Sequence, residues 1–199
     1  MNGKEDLRVV KTKKSIVDSF IILLQKKTLE QISVTDICKM ARCSRNTFYY
    51  HFPYKEALYD HVLNSFVDRI KNSMSTIDVL PKENLDEFSK QYMYHAGEIL
   101  LKEKDTLFPI LVGEHANRFF NKLTEMLRES IMANTEQVFP NAAQNVQYRL
   151  MCWYSASAIV GFLMGCIYDV DISKEKALDV LCTMHAPSFQ LAIRLLQNG

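Results

Sequence analysis

Residues 33–58 read SVTDICKMARCSRNTFYYHFPYKEAL. Ser33 is followed three positions later by Asp36, so a hydroxyl and a carboxylate are placed to satisfy free amides at the start of a helix. Ile37, Met40 and Ala41 then recur at helical spacing as an inner face. A second capping residue, Ser44, arrives only three positions after Ala41, so this helix is short. The next spans roughly 44–51, with Phe48 and Phe52 four apart and facing inward. Arg45, Asn46, Tyr49 and Tyr50 fall on its other faces, and Pro53 ends it. Two short helices joined by a tight turn, the second studded with polar and aromatic groups, describe a helix-turn-helix.

In that motif the second helix enters the DNA major groove and its N-terminal residues meet base edges. Arg45, Asn46 and Thr47 occupy those positions. Arginine pairs bidentately with guanine and asparagine with adenine. Tyr49, Tyr50 and His51 are candidates for phosphate oxygens or thymine methyls, and Lys55, opening the next helix, for a phosphate held together with free helix amides. Thr35, early in the first of the pair, is a further backbone or base candidate. Competing readings stay open: any of these can be solvated helix surface, Tyr50 can pack on the following helix, and His51 can cap local structure.

Away from this motif the chain keeps the same helical texture. A first helix is expected over residues 12–26, with Ile16, Phe20, Leu23 and Leu24 sharing a face, and Leu29 and Ile32 fill the connection that follows. A fourth runs from about 54 to 73, and residues 74–82 connect it to helical stretches near 83–103, 105–117, 118–135, 141–168 and 173–197. Pro109 is expected at a helix start, Pro140 in a loop, and Pro187 at a kink or break in the last helix. Six glycines and five prolines are sparse punctuation for 199 residues, and no strand pattern or repeat emerges, so the fold class is all-α. Residues 1–72 hold 13 Lys/Arg against 8 Asp/Glu, whereas the remainder is net acidic although the whole chain is only +1. A basic head on an acidic body suits a polyanion partner. The division expected is a DNA-binding domain at 1–73 and a helical effector-binding and dimerisation domain at 74–199.

The five cysteines (38, 43, 152, 166 and 182) include no C-x-x-C pair, and residues 1–15 are polar and lysine-rich. This reads as a reducing cytoplasm, with no disulfide framework, metal site or secretory leader expected. The run from 150 to 168 carries no charge and is nearly long enough to span a membrane. Its internal serines, Trp153 and Tyr154, and the lack of a cationic flank, favour a helix buried between protein layers and no membrane partner. Ser157, Gly161 and Gly165 let backbones approach closely there, which suits a dimer interface. In the body, Tyr92, His95, Phe108 and Glu114 are candidates for an apolar effector pocket with few polar groups, as are His115, Phe119, Met151 and Tyr154; each can equally be plain core. No H-x-x-x-H spacing, nucleophile-base set or Gly-rich phosphate loop stands out, so no catalytic residue, metal or cofactor is assigned.

The 33–58 stretch closely resembles the DNA-binding domain of TetR/AcrR-family regulators. That family typically has a Thr or Ser cap, an Ile-Ala pair, an Ala-Gly-Val-Ser turn, a Gly-Thr-Leu-Tyr run, then His-Phe and Lys-Glu. Ser33, Ile37, Ala41, Ser44, Thr47 and Phe48 fall in register, as do Tyr49, His51, Phe52, Lys55 and Glu56. The resemblance is specific over residues 10–62 and diffuse beyond, with a looser likeness at 158–181. Arg42 and Cys43 depart from the usual Gly-Val, Asn46 from the frequent Gly, and Tyr168 stands near a common Trp. The resemblance implies a transcriptional regulator, not an enzyme: a homodimeric repressor on a palindromic operator in double-stranded DNA, its dimer built from the last two helices and released by an unknown small-molecule effector. The alternative is an effector-free DNA-binding protein whose C-terminal domain docks a partner protein.

Overall fold

Across residues 7–74, 85–111, 116–168 and 171–197, which the computed structural model describes, the chain is a succession of helices without a strand. The first four are α1 (Leu7–Leu24), α2 (Val34–Ala41), α3 (Arg45–His51) and α4 (Lys55–Met74). They close around Ile16, Phe20, Ile37, Phe48, Leu58 and Val62, all fully buried. Phe48 and Phe52 are both buried, as their four-residue spacing predicts.

Local chemistry sets the ends of these elements. The Ser33 hydroxyl accepts from the Asp36 N–H at 3.1 Å, and the Asp36 carboxylate accepts from the Ser33 N–H at 3.1 Å, a complete capping box. The same backbone donor holds the Asp36 carboxyl below its usual range. Ser33→Ala removes one half of the box and should cost about 1 kcal/mol of stability. A thermal melt checks this, and an unchanged midpoint would show that the cap contributes nothing. At the far end of α2, Arg42 takes the left-handed conformation (φ 54°, ψ 44°) and its N–H bonds the Cys38 carbonyl. A side chain in that region costs roughly 1 kcal/mol.

The body comprises α5 (Leu85–Lys102), α6 (Lys104–Leu111), α7 (Ala116–Glu136), a short 3-10 turn (Ala142–Gln144), α8 (Val146–Tyr168) and α9 (Lys174–Gln197). α8 lies between α7 and α9, and α5 packs along α9 and touches α8. Gly97 allows that approach: a Cβ there would lie 2.6 Å from Leu178 Cδ2. α4 carries the head to the body by packing on α5 and α7. Arg118 donates to Asp60 at 2.7 Å, Arg69 pairs with Glu103, and the Ser73 hydroxyl meets His95 Nδ1 at 3.2 Å.

One proline expectation needs correction, and of the kink or break expected at a second the break is absent. Pro109 lies within the second half of α6, not at a helix start, and α6 ends shortly afterwards. Pro187 sits inside α9, which continues to Gln197 although the proline removes one intrahelical donor. Burial of Leu181, Ala192 and Ile193 on either side holds the helix together across that lost bond. By length and composition α8 could cross a membrane, but half of its apolar window is buried inside this protein.

Candidate nucleic-acid interface and body cavity

Ser44 caps α3, accepting from the Thr47 N–H at 3.0 Å, and its hydroxyl also meets Thr47 Oγ1 at 2.8 Å. The cap fixes the start of the helix and Phe48 and Phe52 fix its inner face, so the outer face projects as a rigid unit. Arg45, Asn46, Tyr49 and Tyr50 are all exposed, Tyr50 at 74%. Arg45 donates to the Tyr49 hydroxyl at 3.5 Å, with its guanidinium 6.0 Å from the Tyr49 ring centroid. The pair therefore presents a cation and an aromatic edge together. Tyr50 and His51 contact edge-to-face at 5.1 Å, and Thr35 is exposed in the first turn of α2.

Lys55 is placed differently from a free surface cation. Its ammonium donates to the carbonyls of Leu29 at 2.5 Å and Ile32 at 2.9 Å, tying α4 to the α1–α2 connection. One of its three protons remains for another acceptor.

In the body, α5, α7, α8 and α9 enclose a narrow cavity with about 20 Å³ of free space, room for roughly one water. Tyr92 and Met151 are the two pocket candidates from the sequence that line it. Phe119 is buried in the main core, Phe108 and Tyr154 are exposed, and His95 is engaged with Ser73. Glu114 and His115 lie outside the described residues. Six polar wall residues were not anticipated: Asn134, Thr135, Tyr148, Cys152, Ser155 and His185. Three of the wall positions on α8, Tyr148, Cys152 and Ser155, are spaced i, i+4, i+7, a polar stripe on an otherwise apolar helix that was readable in the sequence. Burial drives the His185 pKa down to about 4, so its imidazole is neutral at physiological pH. The Tyr148 hydroxyl is buried without a hydrogen-bond partner among the described residues.

Residues 16–62 match the family described as bacterial regulatory proteins, tetR family. Over 75 residues the chain is 37% identical to the HTH-type transcriptional regulator EthR of Mycobacterium tuberculosis, covering 38% of this chain and 33% of EthR. Residues 16–62 carry the DNA-binding domain of the TetR family. Its match to that curated relative spans about a third of the relative's length.

The likeness in fold to solved structures of such regulators extends beyond this domain. A TetR-family regulator from Streptomyces coelicolor A3 superposes with a TM-score of 0.68 at 11% identity, covering 95% of this chain and 99% of that one. AibR, solved in complex with isovaleryl coenzyme A and operator DNA, superposes with a TM-score of 0.57 at 17% identity, covering 87% and 97%. At such identities these likenesses establish the fold alone. Among the described residues nothing covers the outer side of α8: Leu150 is 64% exposed, and Trp153, Tyr154 and Tyr168 share that surface. Gly161 is exposed as well, while Ser157 and Gly165 are half-buried. On α9, Met184 is 67% exposed and Leu191 lies two turns further along.

Proposed function

We propose that this protein is a TetR-family DNA-binding transcriptional regulator, a ligand-responsive repressor that acts as a cytoplasmic homodimer on a palindromic operator and is not an enzyme. The observation carrying the reading is the outer face of α3, where a capped, buried-side-anchored helix leaves Arg45, Asn46, Tyr49 and Tyr50 clear of the protein. The head at 1–73 supplies this face and the body at 74–199 supplies the effector cavity and the dimer contact. Two heads related by a two-fold axis would meet successive major grooves about one helical turn apart. Release of DNA requires an effector that binds one head spacing more tightly than the other. The free cysteines support a reducing cytoplasm.

The test is fluorescence titration against fragments from the source genome, repeated across salt concentrations. Affinity should fall steeply with salt as counterions are released. Arg45→Ala and Asn46→Ala should each cost roughly 1–3 kcal/mol at the preferred site and relax base preference. Lys55→Ala should weaken all sequences nearly alike and also lower the melting temperature, because the Leu29 and Ile32 carbonyls lose their donor. A preferred sequence that changes with Lys55→Ala and not with Arg45→Ala would overturn this docking of α3.

A second reading has one observation in its favour. The body cavity is nearly filled by side chains, which suits an effector-free regulator whose body docks a partner protein. Operator binding that no small molecule alters, together with a partner bound to the body, would select it.

A further inference from the structure

We infer that the cavity between α5, α7, α8 and α9 takes an uncharged small molecule with an apolar body and a single hydrogen-bonding group, of the alcohol, phenol, ketone or amide class. The inference rests on the ligand-responsive part of the reading above and adds the chemistry of the ligand. Among the described residues no Lys, Arg, Asp or Glu lines the cavity. A carboxylate or phosphate inside would be stripped of water with no counter-charge, a heavy penalty in such surroundings. The neighbouring cation, Arg128, is committed elsewhere: it donates to Glu125 at 2.5 Å and lies 5.0 Å from the Trp153 ring centroid.

Most of the wall is apolar, with Met93, Ile131, Met151 and Phe189 around it. Against that background Tyr148 is 1% exposed and its hydroxyl lacks a protein partner among the described residues. Such a group favours any ligand atom able to accept its proton. His185, 6% exposed and also on the wall, adds one donor and one acceptor while its ring stays neutral. Asn134, Thr135 and Ser155 also line the wall, but Tyr148 is the wall residue whose buried hydroxyl lacks a partner among the described residues, so one hydrogen-bonding function on the ligand meets that need. The free space of about 20 Å³ sets the mode of entry: the flexible side chains of Met93 and Met151 move aside for a ligand of modest size.

The experiment uses the full chain with ¹³C-methyl methionine, Met93 and Met151 assigned by single Met→Leu variants. The probes are benzyl alcohol, benzoate and toluene, which differ little in bulk. Benzyl alcohol should shift the Met93 and Met151 resonances selectively, with roughly millimolar affinity for so small a molecule. Benzoate should bind at least about tenfold more weakly. Tyr148→Phe should weaken benzyl alcohol about fivefold while leaving toluene within about twofold, a split that mere loss of packing would not give. Benzoate binding as tightly as the alcohol overturns the inference, and so does the absence of a selective shift with every probe. Operator titration of the same preparation separates the two readings. If benzyl alcohol binds and no DNA does, the regulator reading fails and the ligand class stands. If DNA binds and no probe enters, the ligand class fails alone.

Discussion

Gly161→Arg should leave the single chain folded and abolish the dimer. A Cβ built at Gly161 meets nothing within 4 Å among the described residues, and the same is true of Gly165, so an arginine there meets no clash with them. The surroundings are an apolar face with no cover: Leu150, Trp153 and Tyr154 along α8, Met184 and Leu191 on α9. In the proposed homodimer a second copy related by a two-fold axis would cover this face, with one patch serving both chains. An arginine at its centre would be desolvated without a partner, a cost of several kcal/mol, or a factor of hundreds or more in the dimer dissociation constant. Operator affinity should collapse with it, and the slope of log affinity against log salt should fall to about half, since one head makes half the phosphate contacts. Light scattering reports the mass and circular dichroism the helicity of the same sample. A variant that remains dimeric would place the interface elsewhere; a monomeric parent would remove it.

The protein should also lose stability as pH falls from about 6.5 toward 4. In the folded chain burial keeps His185 neutral down to about pH 4, whereas the unfolded chain takes up that proton near the usual 6.5. Between those values the unfolded state binds more protons, so stability rises with pH there and is lost on acidification. The full difference corresponds to roughly 3 kcal/mol. Around the cavity the other titratable groups, Tyr92, Tyr148 and Cys152, are all shifted upward by burial and stay protonated throughout this window. His61 in the head acts in the same direction, through burial and the nearby Lys13 charge. Asp36, held below 3.8, adds its loss only at lower pH. Urea unfolding at a series of pH values, for the parent and His185→Gln, measures the contribution. Parallel pH profiles for the two proteins would show that His185 is not the group responsible.

The head was legible because its signals are local. Ser33 with Asp36, Ser44 with Thr47, and Phe48 with Phe52 each act over three or four residues, and the structure contains every one of these pairings. Helix ends and inner faces in such a motif follow from cap chemistry and the 3.6-residue period, which a sequence displays directly. The exposed set on α3 follows by subtraction, as what remains once the two phenylalanines turn inward.

Other features needed the folded chain. The Lys55 ammonium reaches carbonyls 26 and 23 residues away, a pairing no spacing rule anticipates. α9 runs through Pro187, against the local rule, because packing on both sides of the proline outweighs one missing hydrogen bond. α8 has no apolar face set against a solvated one, so its hydrophobic pattern does not say which side is buried, and only packing against α5, α7 and α9 leaves Leu150 and Gly161 outside and turns Tyr148 and Cys152 inward. His185 becomes a neutral wall of the cavity for the same reason: desolvation belongs to a position in space, and four helices distant in sequence must meet before that position exists.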